Sequence, residues 1–130
     1  MPSRRFLLTA ALAAGAIWLA PAFAAQRHPF DAKAFADAQR SGKPIFVAIH
    51  APWCPTCKAQ APILSELLTD PKFKNLVYFI VDFDNQKDAV RHLGARTQST
   101  LIAFKGDREV GRSAGDTSRA SIAALLAKTL

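Results

Sequence analysis

The chain has two cysteines, Cys54 and Cys57, both inside the stretch APWCPTCKAQAPIL that runs from Ala51 to Leu64. Their C-x-x-C spacing suits three chemistries: a structural disulfide, part of a metal site, or a dithiol that opens and closes. A disulfide here would close a very short loop and remove little entropy from the unfolded chain, so it makes a poor staple. A structural zinc site takes four ligands. The chain lacks a second cysteine pair; His50 could join, but His28 lies in a tail and His92 on a separate predicted helix. The redox chemistry suits the position best. Cys54 stands where the apolar run PIFVAIH has ended and a helix begins. The first amides of a helix have no internal partners, and with the helix dipole they face such a sulfur and favour its thiolate. A thiol with pKa about 8.5 is a few per cent ionised at pH 7, whereas one at about 7 is half ionised, a difference of roughly 2 kcal/mol. Pro55 suits the first helical turn, where its missing N–H would have been unpaired anyway. Cys57 follows one turn into the helix, placed to attack a mixed disulfide on Cys54 and resolve it.

The elements that must hold this pair can be read on either side of it. Asp31 caps a predicted helix through about Arg40, with Phe30 and Phe35 on its apolar side, and Ser41-Gly42 stops it. Pro44–His50 reads as a buried strand, followed by the cysteine helix from Cys54 to about Leu68. Asp70-Pro71 starts a short helical turn, and Leu76–Phe83 is a second buried strand. A helix over Asn85–Leu93, closed by Gly94, leads to strands Thr100–Lys105 and Arg108–Ser113, joined tightly by Gly106-Asp107. Thr117 or Ser118 caps a last helix with Ile122, Leu125 and Leu126 on one face. The two inner strands are separated by helices, so they should run parallel with a right-handed crossover. The closing hairpin should add antiparallel strands. The expected fold class is α/β, with a central mixed β-sheet flanked by helices.

The segment before the first helix reads differently. MPSRRFLLTAALAAGAIWLAPAFA has two arginines, an apolar run from Phe6 to Ala20 and a small-x-small end at Ala22-Phe23-Ala24. This is the pattern of a cleaved secretory signal over residues 1–24, and the apolar run is short of the roughly 20 residues that span a bilayer. Ser3-Arg4-Arg5-Phe6-Leu7-Leu8 is also similar to a twin-arginine signal, although it lacks the residue that usually separates the arginines from Phe-Leu. Sec and twin-arginine export therefore both remain as routes to the expected location, the bacterial periplasm. Residues 25–130 are left as one domain. Without Arg4 and Arg5 the formal charge falls from +7 to about +5. The cations are scattered and do not alternate with aromatics, which argues against a nucleic-acid partner. An exported chain meets an environment where disulfides persist.

The longer string WCPTCKAQAPIL resembles the thioredoxin active-site helix: Trp, Cys-x-x-Cys, Lys, two residues, then Ala-Pro-Ile-Leu, with Pro62 at the family's helix kink. The order of elements follows the thioredoxin fold over most of residues 30–130. The resemblance implies thiol–disulfide exchange, with Cys54 as the exposed nucleophile, Cys57 as the resolving thiol and Trp53 covering them. It also implies that the loop of Gln98, Ser99 and Thr100 binds substrate opposite the pair.

Two departures from the family pattern stand out. Counted back from the cysteines, Ala48 falls where thioredoxins carry a buried aspartate, a proton acceptor for the second cysteine. His50, two residues on, shares that side of the strand and titrates near pH 6.5, so it is a candidate base. Ser99 replaces the family's cis-proline. A cis bond before a non-proline residue costs about 2.5–4 kcal/mol, so Gln98–Ser99 should be trans, with the Ser99 hydroxyl as a new donor near the thiols.

The expectation is a periplasmic thiol–disulfide oxidoreductase needing no cofactor, monomeric, with exported thiol or disulfide proteins as partners and a membrane electron donor as a further one. The rival is a thioredoxin-fold binding module that holds a metal or iron–sulfur cluster through the same two cysteines, with the missing proline leaving room for it.

Overall fold

The structure is a computed structural model that describes residues 15–16 and 25–130. The expected signal segment, residues 1–24, lies outside the described residues apart from Gly15 and Ala16. The elements run β1 (Arg27–Pro29), α1 (Ala32–Arg40), β2 (Pro44–His50), α2 (Pro55–Leu67), a 3₁₀ turn (Pro71–Phe73), β3 (Val77–Asp82), α3 (Lys87–His92), β4 (Thr100–Lys105), β5 (Arg108–Ala114) and α4 (Arg119–Ala127).

The five strands form one mixed sheet in the order β1-β3-β2-β4-β5. β1, β3 and β2 are mutually parallel, as helical crossovers require; β4 runs antiparallel to β2, and β5 to β4. Successive side chains of a strand point to opposite faces, and β2 shows what that demands of a central strand covered on both sides. Ile45, Val47 and Ile49 pack with Phe35 and Ala38 of α1 and Val90 of α3. Phe46 and Ala48 face the other way, toward Leu64 of α2 and Ile122, Leu125 and Leu126 of α4. β2 reads as an unbroken apolar run because it supplies two cores at once.

The helix ends follow their capping residues. Asp31 accepts from the Ala34 N–H at 2.8 Å, Asp70 from the Lys72 N–H at 3.0 Å, and Ser118 from the Ser121 N–H at 3.3 Å. Three elements stand apart from expectation. β3 and α3 are each shorter, because Asp82 turns the chain between them: its carboxylate accepts from the backbone N–H groups of Asp84 and Asn85 and from Asn85 Nδ2. Asn85 is thereby used in the turn, and the helix starts only at Lys87. The edge strand β1 was not anticipated. Its three residues are all exposed, and it is held by pairing with β3 and by the Phe30 N–H to the Ile80 carbonyl at 2.8 Å.

Candidate active site

The end of β2 and the start of α2 bring the two cysteines together. Cys54 is the N-cap of α2, and its sulfur accepts from the Cys57 N–H at 3.1 Å. A sulfur thus occupies the place of a capping oxygen, where the free amides and the positive end of the helix can meet charge on it. Both cysteines are free thiols. The resemblance implied an exposed nucleophile; Cys54 is instead 1% exposed and Cys57 3%. Ala51 and Phe83 pack with the pair, while Trp53 and Pro55 on either side of Cys54 are exposed.

Cys57 points back into the fold, its sulfur 3.9 Å from the carbonyl oxygen of Ile49. Burial pushes the Cys57 thiol up, and its hydrogen bond with Cys54 adds to this. The backbone N–H groups of Ala51 and Ser99 pull the other way. Among the described residues, the groups that shift it include no carboxylate, in keeping with Ala48 at the position where the family carries its buried acid.

Trp53 is 55% exposed, yet it is fixed. Its indole N–H donates to Asp84 at 2.8 Å, and its ring stands edge-on to Phe83 at 6.4 Å between centroids. Asp84 and Phe83 were not singled out in the sequence; their place just past the carboxyl end of a parallel strand, the usual ligand edge of such sheets, was the available signal.

His50, the candidate base, ends β2. It pairs in register with Asp82 across β2 and β3, and lines a cavity of about 630 Å³ with Arg27, Pro29, Pro52, Ile80 and Gln86. Burial lowers its pKa below the ordinary 6.5; the Arg27 charge adds to this and Asp82 opposes it. The groups acting on His50 are thus different from those acting on Cys57.

The Ser99 loop lies against the pair, as expected, and every described peptide bond is trans, Gln98–Ser99 included. Its detail differs from expectation. Ser99 is buried with φ +60°, in the left-handed region, and its N–H donates to the Ile49 carbonyl at 2.8 Å. The Ser99 backbone, rather than its hydroxyl, is what acts on Cys57. Gln98 is half-buried beside it. Thr100 is buried and its hydroxyl donates to the Thr97 carbonyl at 2.8 Å, so it serves the loop's own turn.

Gln60 belongs to the same arrangement and was missed. It sits three residues after Cys57 on α2, 3% exposed, and its amide donates to the carbonyls of Ser99 at 3.1 Å and Asp116 at 2.8 Å. One polar residue in the buried stripe Cys57-Gln60-Leu64 was its signal. Among the described residues no three His, Cys, Asp or Glu side chains gather as a metal site would need, so the binding-module reading gains no support from the donor set.

Known proteins resemble this chain. A family model described as Thioredoxin matches residues 26–128. Thioredoxin Asp f 29 of Aspergillus fumigatus is 34% identical over 98 residues, covering 75% of this chain and 89% of that protein. A thioredoxin of Mycobacterium tuberculosis is 33% identical over 92 residues, covering 71% and 78%. Among solved structures, Trxlp from Edwardsiella tarda EIB202 aligns with TM-score 0.75 at 40% identity, covering 78% of this chain and 98% of that one.

Proposed function

The chain belongs to the thioredoxin family of thiol–disulfide oxidoreductases, and from that premise we propose that Cys54 and Cys57 carry dithiol–disulfide exchange on exported proteins. The observation that carries the reading is the pair itself: Cys54 caps the redox helix with its sulfur, and Cys57 stands one turn behind it against the Ser99 loop.

In the reducing direction, the Cys54 thiolate attacks one sulfur of a substrate disulfide. That S–S bond breaks, a Cys54–substrate disulfide forms, and the other substrate sulfur leaves as a thiolate. Cys57 then gives up its proton and attacks the Cys54 sulfur. The Cys54–substrate bond breaks, the protein is left with a Cys54–Cys57 disulfide, and the substrate has gained two electrons, one proton from Cys57 and one from solvent, which took up the Cys54 proton when its thiolate formed. The reverse sequence makes a disulfide in the substrate. Trp53, pinned by Asp84 and Phe83, forms a fixed rim that a partner meets beside the buried sulfurs.

Export to the periplasm as a monomer is part of the proposal. The basic, apolar and small-residue order of residues 1–24 supports it. Among the described residues, Ala25, directly after the expected cut, is already tied to the domain: its N–H donates to the Leu68 carbonyl at 3.2 Å. A membrane electron donor would return the pair to its dithiol state.

The test is reduction of insulin disulfides by the purified domain with dithiothreitol as the electron source. Wild type should accelerate insulin precipitation, and Cys54→Ser should abolish the acceleration. Equal rates for wild type and Cys54→Ser would remove the reading.

A further inference from the structure

Cys57 and the residue that replaces the family's proline meet at one atom, the carbonyl oxygen of Ile49. Cys57 Sγ lies 3.9 Å from it, and the Ser99 N–H donates to it at 2.8 Å. The resolving sulfur and an amide proton therefore converge on the same acceptor. A proline at position 99 would have no N–H to offer.

The Ser99 backbone does not take this shape at no cost. A non-glycine residue in the left-handed region is disfavoured by about 1–2 kcal/mol, and Ser99 sits there at φ +60°. Its carbonyl is held from two sides: Gly115 N–H donates to it at 3.1 Å, and Gln60 Nε2 at 3.1 Å. Gln60 also donates to the Asp116 carbonyl at 2.8 Å, so one buried amide ties the redox helix to the loops before β4 and after β5. An apolar side chain would fill this buried place on α2 without needing polar partners, so the amide calls for an explanation of its own.

We propose that Gln60 is a positioning residue that clamps the Ser99 loop so that the Ser99 N–H stands ready to donate to the Cys57 thiolate, replacing the absent buried acid as the aid to resolution. As Cys57 loses its proton, the Ser99 N–H is shared between the Ile49 carbonyl and the charged sulfur, and a hydrogen bond to the charged form favours it. The proton goes to the substrate sulfur released in the first attack. The thiolate then forms the Cys54–Cys57 bond as the Cys54–substrate bond breaks. The inference rests on the reading of Cys57 as the resolving thiol, but its test does not use turnover.

The experiment is an ultraviolet titration of thiolate absorbance. Cys54 is the titratable group that acts on Cys57, so the titration is done in a Cys54→Ser background, where one midpoint remains. Adding Gln60→Met, similar in length but without amide donors, should raise that midpoint by about half a unit to one unit, a three- to tenfold loss of thiolate below it. Ser99→Ala keeps the N–H and removes only the hydroxyl, so it should leave the midpoint in place. In the Cys54→Ser protein itself, the Ser99 amide proton resonance should move with the same midpoint as the thiolate absorbance. An unmoved midpoint in folded Gln60→Met, or a shift in Ser99→Ala as large as in Gln60→Met, overturns the proposal. If Gln60→Met does not fold, the amide resonance decides: a Ser99 signal that ignores the Cys57 titration overturns it. Failure of insulin reduction by wild type would sink the proposed activity and leave these titrations as they stand.

Discussion

Ser99 shows how a residue can be singled out for a reason that leaves out its backbone. The family resemblance marks it as a substitution for proline and implies its place opposite the cysteines. Its part in the site comes through a backbone N–H and a positive φ, which no side-chain reading discloses. Proline cannot adopt φ +60° and would lose the bond to Ile49, so Ser99→Pro should cost about 3 kcal/mol or more of stability in urea unfolding. Ser99→Gly relieves the strain but adds freedom to the unfolded chain, and should stay within about 1 kcal/mol of wild type. Equal stability of the proline variant and wild type would mean that the loop is not held as described. Cys54, Cys57 and Trp53 stood out as candidates because the chain has two cysteines and two tryptophans, and three of these four residues fall together at a helix start. Gln60 did not, because a glutamine in an alanine-rich helix looks like any surface residue until its face is known. His50 carries its own pH signature. Its pKa is lowered in the fold from 6.5, so the fold prefers the neutral ring. The associated stability is fully present above about pH 6.5 and is lost as pH falls through the lower folded value. His50→Gln should flatten that slope, by no more than about 1 kcal/mol given the ring's partial exposure. Asp82 and Glu109 are both lowered from their ordinary carboxylate values, so the stability tied to them is lost only as pH falls below those ordinary values. Parallel slopes in wild type and variant would assign the pH dependence to another group.

At the scale of elements, the buried strands and capped helices were readable because each carries its own local reason. β2 is an unbroken apolar run, Asp31 and Ser118 cap helices through their side chains, and Gly94 and Gly106 close turns at positive φ. β1 carries none of these reasons: Arg-His-Pro has neither alternation nor burial, and it becomes a strand only because β3 offers a free edge. The shortened α3 has the same character, since Asn85 could serve helix or turn and the Asp82 carboxylate decides. Gly106 tests the hairpin that β4 and β5 form beside β2. It lies at φ +62°, and a Cβ there would stand 3.3 Å from the Gly42 Cα. Gly106→Ala should therefore lower stability by about 1–2 kcal/mol, with the strain of the left-handed backbone as the main cause. Thermal unfolding measures it, and an unchanged midpoint would show that the turn relaxes without cost.

Taken whole, the molecule is one sheet between two apolar layers. α1 and α3 cover one face, α2 and α4 the other, and the cysteines sit where β2 gives way to α2. The class and order of this architecture were legible from the alternation of strand and helix. The burial of the reactive sulfur was not, because it depends on how Phe83 and the loops around Ala51 and Ser99 close over the pair in three dimensions. Under the proposed exchange a partner has to dock on the rim around the buried Cys54, which makes capture of partners the most direct measurement of the central claim. Cys57→Ser, expressed from the full chain, keeps attack by Cys54 and loses resolution, so it should accumulate mixed disulfides with exported proteins. These would appear after non-reducing separation as adducts linked through Cys54, and would be absent in Cys54→Ser. Adducts in Cys54→Ser but not in Cys57→Ser would reverse the two roles, and none in either variant would contradict dithiol exchange as the activity of this pair.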